Sequence, residues 1–231
     1  MTETFKTLLT ENGFSDEEAS LCGQYADILL ETNKTFNLTR ITEETEVAFK
    51  HFIDSALPMQ LGLIQKGDKV LDVGCGAGFP GAVLAIRGCD VTLLDAQLKK
   101  VRFAEETLKA LQIRIKALQG RSEELSRRPE FSGKFPVVVS RAVAPLNILM
   151  ELSFSFIEKG GRFLAYKGQG AQEEVQNAQA AAKKLGLTLV KIHDASYNDQ
   201  HHVILEYVRD GKCENPLLYP RLYAKIKKNP L

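Results

Sequence analysis

A short apolar run ending in a cluster of glycines, Val70-Leu71-Asp72-Val73-Gly74-Cys75-Gly76-Ala77-Gly78-Phe79-Pro80-Gly81, constrains this chain more than any other segment. The run reads as a strand, the glycines as a turn, and Pro80 as the first turn of a helix. Glycines permit positive φ and let a ligand approach the backbone closely. The turn fits either Gly74-x-Gly76-x-Gly78 or the dinucleotide pattern Gly76-x-Gly78-x-x-Gly81. In the dinucleotide pattern the first glycine follows the strand directly; here that glycine is Gly74, which favours the first reading. Asp72, just before the turn, would repel a pyrophosphate but suits the ammonium and sulfonium of S-adenosylmethionine. Asp95 ends the next candidate strand, about twenty residues on, where a carboxylate accepts hydrogen bonds from both ribose hydroxyls. Both cofactor classes use that acid, so it indicates a nucleoside without choosing between them.

From Lys69 onward, β-rich runs alternate with helix-length amphipathic segments. The spacing predicts strands at Lys69–Val73, Asp90–Leu94, Arg114–Leu118, Pro136–Ser140 and Arg162–Lys167. Helices are expected near Pro80–Arg87, Leu98–Leu111, Arg121–Arg127, Pro145–Phe156 and Gln172–Leu185. Alternation of this kind implies parallel strands joined by crossover helices. Leu187–His193 and His201–Val208 then read as strands joined by Ala195–Gln200, too short for a crossover, so this last pair is antiparallel. The expected fold is α/β, a class I S-adenosylmethionine-dependent methyltransferase: a Rossmann-like, mostly parallel seven-stranded sheet with an antiparallel last strand. An N-terminal helical extension precedes it. Ser15-Asp16-Glu17-Glu18 has the form of a capping box, followed by Ala19, Cys22, Ala26, Leu29 and Leu30 at helical spacing, with Tyr25 nearby. A second helix is expected from about Glu43 to Leu57, stopping near Pro58 and Gly62. The chain then divides into N-terminal helices (1–65), a cofactor-binding core (66–210) and an irregular basic tail (211–231), all in one globular domain.

Composition excludes more than it selects. Lys and Arg total 30 against 29 Asp and Glu, so any RNA contact must come from local patches rather than from a global field. No stretch approaches the roughly 18 uninterrupted apolar residues of a membrane span, and the N-terminus lacks a signal-peptide pattern. Cys22, Cys75, Cys89 and Cys213 show no CxxC pairing, which fits packing thiols in a reducing cytoplasm and no metal site.

The third strand is followed by Gly120-Arg121-Ser122-Glu123, a turn that in this topology lies beside adenine. A carboxylate and a backbone N–H complement the adenine edge; Ser and Glu equally favour an ordinary helix start. Together with Asn37-Leu38-Thr39, His51-Phe52-Ile53-Asp54-Ser55, Asp72 through Gly81, Ser140-Arg141-Ala142-Val143-Ala144, Ala165-Tyr166-Lys167-Gly168 and the ending Lys225 to Leu231, this turn resembles the ribosomal RNA small-subunit methyltransferase G family, also called glucose-inhibited division protein B. The resemblance spans nearly the whole chain. It implies methyl transfer to N7 of a guanine in 16S small-subunit ribosomal RNA near the decoding centre, with cofactor contacts at Gly74, Phe79, Ser122, Glu123 and Arg141. Cys75 stands where Ser or Thr is expected.

Guanine N7 has a free lone pair and no proton, so methylation there needs no general base. Ser140-Arg141-Ala142 offers none, and the Asn-Pro-Pro-aromatic tetrad of amino-methylating enzymes is absent. Arg141 stays charged and is expected to orient the cofactor and the guanine or a phosphate. Lys99, Lys100, Arg102, Arg121, Lys167, Arg221, Lys225, Lys227 and Lys228 are candidate RNA contacts, and near-neutral net charge makes the assembled 30S particle the expected substrate of a monomeric enzyme. His51 and Asp54, three apart on one helix face, either line the pocket mouth or tie the N-terminal helices to the sheet. His201 and His202 point to opposite faces of a strand and make a poor metal pair. The rival readings are a methyltransferase of protein or small molecules, an NAD-dependent oxidoreductase, and an RNA-binding assembly factor with vestigial cofactor binding.

Overall fold

The structure, a computed structural model, describes residues 1–196 and 201–231. Its contacts divide the chain into two compact units, Met1–Gln119 and Gly120–Leu231.

The first unit opens with helices α1 (Glu3–Glu11) and α2 (Asp16–Asn33). The capping box at the start of α2 is formed: Glu18 N–H donates to Ser15 Oγ at 3.1 Å and Ser15 N–H to Glu18 Oε2 at 3.0 Å. Ala19, Cys22, Tyr25, Ala26 and Leu29 are buried along one face, as their spacing predicts. The second helical stretch is α3 (Glu44–Val47), a π-helical segment (Ala48–Ile53) and α4 (Asp54–Gln60). It runs three residues past the expected Leu57 and ends at Gln60, between Pro58 and Gly62, where the stop was expected. Pro58 forgoes one backbone bond, but its carbonyl accepts Leu63 N–H at 2.8 Å and Ile64 N–H at 3.1 Å, so the chain turns off just beyond it, with Gly62 at φ 71°. Strands β1 (Lys69–Val73), β2 (Asp90–Asp95) and β3 (Lys116–Gln119) run parallel in the order β3-β2-β1. Between them lie α5 (Gly81–Ile86) and α6 (Leu98–Ala110). Val70 through Val73 are all buried, as in a parallel strand covered on both faces.

Packing joins the N-terminal helices to this sheet through aromatic rings. Phe52 meets Phe5 edge-on at 5.5 Å and Phe79 at 5.3 Å, while Tyr25 meets Phe79 at 5.6 Å and Phe103 at 5.9 Å. Edge-to-face pairs at these separations add to ordinary apolar burial.

In the second unit, α7 (Ser122–Leu125) is a single turn, shorter than the expected Arg121–Arg127. Then come β4 (Phe135–Arg141), α8 (Leu146–Ser153), a 3₁₀ turn (Phe154–Phe156) and β5 (Ile157–Lys167). β5 begins five residues earlier than predicted, because Gly160-Gly161 masks a strand that pairs with β4 across a register shift between Phe135 and Val137. The helix expected over Gln172–Leu185 is two, α9 (Ala171–Asn177) and α10 (Gln179–Leu185), broken at Ala178. β6 (Leu187–Asp194) and β7 (Val203–Arg209) complete the order β4-β5-β7-β6, with β4 and β5 parallel and β7 antiparallel to both neighbours. The strand starts at Val203, so His201 and His202 precede it. The predicted connection Ala195–Gln200 falls partly outside the described residues.

The tail is not irregular throughout: Tyr223–Lys228 forms α11, with Ile226 fully buried against Ile148 and Leu152. What fixes it is an ion pair. Glu151, fully buried, accepts from Arg221 backbone N–H (2.8 Å), Nε (2.9 Å) and Nη2 (2.7 Å). A buried carboxylate that loses its partner is strongly destabilising, by about 3–5 kcal/mol. Arg221→Ala is therefore expected to lower unfolding free energy by about that amount in denaturant melts. The double variant Glu151→Leu/Arg221→Leu should recover most of it, and equal stability of the single variant and wild type would contradict this assignment.

Candidate cofactor-binding residues

The turn between β1 and α5 is held almost entirely by its own donors. Gly74 and Cys75 N–H both donate to Leu94 O (2.8 and 3.0 Å), and Gly78 and Phe79 N–H both donate to Cys75 O (2.8 and 2.9 Å). Gly76 N–H donates to Asp95 Oδ2 at 3.0 Å and Gly81 N–H to Asp72 Oδ2 at 2.8 Å. Glycine is required where the turn is tightest. At Gly78, φ 95°, a Cβ would strike Tyr25 Oη and lie 3.2 Å from Ala104 Cβ; at Gly81 it would strike Leu93 Cδ2 and come within 2.9 Å of Asp72 Oδ2. Gly76 differs: at φ 56° its Cβ would meet no protein atom within 4 Å. The open side of the turn is therefore at Gly76, beside the Asp95 carboxylate.

This arrangement fits S-adenosylmethionine better than a dinucleotide. Phosphates are bound by backbone N–H groups directed at the ligand, whereas six N–H groups of this turn donate inside the protein. Asp95 Oδ1 takes Gln97 N–H at 2.8 Å; with one bond on each oxygen, lone pairs remain for two ribose hydroxyls. Asp72 is fully buried, and its carboxylate braces the start of α5.

Residues from far outside the motif support the turn. Tyr25 Oη donates to Ala77 O at 2.8 Å in the interior. Burial, with Cys75 and Asp72 adding to it, raises this hydroxyl well above its usual range, so it remains a donor. His51 stacks flat on Phe79, with centroids 4.7 Å apart and planes 7° apart, and its Nε2 lies 2.8 Å from Thr39 Oγ1. His51 thus ties the π-helical segment to the turn. In the sequence Tyr25 stands only as a neighbour of the apolar helical face, and its one signal is a hydroxyl beside that face.

In the second unit, Ser122 and Glu123 open α7. Glu123 is buried, and its Oε1 accepts Tyr223 N–H at 3.0 Å, so the tail positions this carboxylate. Arg121 lies over the Tyr223 ring at 5.8 Å. Arg141 ends β4, half-buried, and the next residue, Ala142, has φ 55°. A non-glycine residue in the left-handed region costs about 1–2 kcal/mol, so this turn is held against its own preference. Two of the basic residues expected to face RNA are used internally: Arg221 by Glu151, and Lys167 by Glu174 Oε2 (2.6 Å) and Ala144 O (3.0 Å). Their alkyl stems lie in the interior and their charges are matched there.

Gly76 and Gly81 should fail differently. Gly76→Ala is expected to weaken S-adenosylmethionine binding at least tenfold by calorimetry, at a cost of about 1–2 kcal/mol in stability. Gly81→Ala should chiefly destabilise the fold. Wild-type cofactor affinity in a folded Gly76→Ala protein would contradict this reading of the turn.

The chain is similar to known proteins over most of its length. A family description, rRNA small subunit methyltransferase G, matches residues 18–204. Relatives named ribosomal RNA small subunit methyltransferase G include one from Thermoanaerobacter sp. (strain X514), 38% identical over 90% of this chain and 88% of its own. Another, from Lachnoclostridium phytofermentans, is 41% identical over 90% of this chain and 87% of its own. Among solved structures, a SAM-dependent methyltransferase from Aquifex aeolicus shares the fold at 17% identity, covering 78% of this chain and 98% of its own with a TM-score of 0.55. The α/β order, the antiparallel finish and a turn suited to S-adenosylmethionine agree with these matches, and the chain belongs to the rRNA small subunit methyltransferase G family.

Proposed function

We propose that this enzyme methylates N7 of a guanine in 16S small-subunit ribosomal RNA near the decoding centre, working as a cytoplasmic monomer on the assembled 30S particle. One observation carries the choice of acceptor: the turn Ser140-Arg141-Ala142-Val143-Ala144-Pro145, at the end of β4, contains no carboxylate, imidazole, thiol or amine. Its one hydroxyl, Ser140, is fully buried. An acceptor that had to lose a proton would need a base there; guanine N7 has none to lose.

When bound, S-adenosylmethionine supplies an electrophilic methyl group: the N7 lone pair forms the new N–C bond, the S–C electrons return to sulfur, and the positive charge passes to the purine. The protein's part is alignment, the main source of rate where no proton moves. Gly74, Gly76, Gly78 and Phe79 form the turn around the amino-acid portion, braced by Asp72. Asp95 takes the ribose hydroxyls, while Ser122 and Glu123 complement the adenine edge. Arg141, through its guanidinium donors, orients the cofactor and the guanine O6 or a phosphate. In this reading residues 1–65 are helices supporting the core of 66–210, and 211–231 is a tail that positions Glu123.

Small subunits from cells lacking the gene, incubated with labelled S-adenosylmethionine and digested for mass spectrometry, should yield a single 7-methylguanosine. Arg141→Ala should lower kcat about 10- to 100-fold. Label in protein or in another base, or full turnover by Arg141→Ala, would overturn the corresponding part of the assignment.

A further inference from the structure

The cations of helix α6 are placed against the helix's own electrostatics. Its first turn carries Lys99 and Lys100 and no acid, and Gln97 makes no side-chain cap. The N-terminal end of a helix is positive and favours anions, so two lysines there, with Arg102 just beyond, work against stability. Among the described residues neither Lys99 nor Arg102 makes an ion pair to offset this. Both border a groove of about 530 Å³ between α2 and α6, floored by Ile28 and Phe103. Phe36 forms its wall, 44% exposed, with Lys99 Nζ 4.9 Å above the ring centroid.

An exposed aromatic ring beside two unneutralised cations is what binds a single-stranded nucleotide: the ring stacks a base and the cations take its phosphate. An apolar protein segment would have no use for Lys99 and Arg102. The groove also starts at the right place, because α6 begins three residues after Asp95, the ribose-binding acid of the proposed cofactor site. Glu106 lines it one turn further on, so the phosphate belongs at the Lys99 and Arg102 end.

We propose that this groove receives one unpaired nucleotide of the substrate RNA, flanking the methylated guanine, with its base on Phe36 and its phosphate on Lys99 and Arg102. The inference rests on the rRNA-methyltransferase reading and adds to it the surface that selects the substrate.

The test uses the full chain and small subunits from cells lacking the gene. Phe36→Ala and the double variant Lys99→Gln/Arg102→Gln are each expected to raise KM for the particle about tenfold or more. Both should leave kcat within about threefold and the calorimetric affinity for S-adenosylmethionine unchanged. The double variant should reduce the slope of log affinity against log salt by about 0.7, the value for one phosphate contact on a single strand. Phe36→Tyr should retain wild-type KM, and Lys183→Gln, exposed on the second unit, controls for net charge. Wild-type KM and salt slope in both groove variants would overturn the proposal. Sedimentation binding of the same particles reads the groove whether or not a methyl group is transferred, so failure of the wild-type enzyme to label RNA would count against the function and not against the groove.

Discussion

The structure turns on one requirement: seven residues between a parallel strand and the next helix must reverse direction without leaving buried polar groups unmatched. An unmatched buried amide or carbonyl costs on the order of 1–3 kcal/mol, and a turn this tight cannot match all its groups locally. Leu94, Cys75, Asp95 and Asp72 supply the acceptors, and Tyr25 supplies a donor to Ala77 O. The consequence is chemical. A turn whose N–H groups are used within the protein is a poor phosphate cradle, but it leaves open space at Gly76 beside the Asp95 carboxylate. That suits a ligand with a ribose and two cationic centres and no phosphate.

The same economy explains why the chain carries more than the strands and crossover helices. In the first unit α2 and the π-helical segment bring Tyr25, Phe52 and His51 onto the turn: His51 stacks flat on Phe79, Phe52 meets it edge-on, and Tyr25 donates a hydrogen bond. In the second unit the tail, fixed by Arg221 on the buried Glu151, presents Tyr223 N–H to Glu123. Each unit thus holds its candidate ligand-binding residues with segments distant in sequence. Rigid support of this kind is what an enzyme relying on alignment requires.

Much of this was legible in the residues. Strand–helix alternation, the capping box at Ser15 and the antiparallel final pair follow from local pattern, and the glycine turn and Asp95 follow from spacing. What local pattern could not show was pairing at long range. Tyr25 and Ala77 are 52 residues apart and Arg221 and Glu151 are 70 apart, and no periodicity links them. Helix α11 was missed because one inward residue, Ile226, carries its packing in six residues. The early start of β5 was hidden by Gly160-Gly161. Charge counting erred for a related reason: Lys167 and Arg221 look like surface cations until their carboxylates are located.

Hydrogen exchange at the backbone amides of Gly74, Cys75, Gly76, Gly78, Phe79 and Gly81, read without and with S-adenosylmethionine, tests the central claim most directly. A turn closed by its own hydrogen bonds predicts protected amides in the free protein and little further change on binding. Rapid exchange in the free protein, with strong protection once the ligand is added, would mean that these donors point at the ligand and would contradict the account.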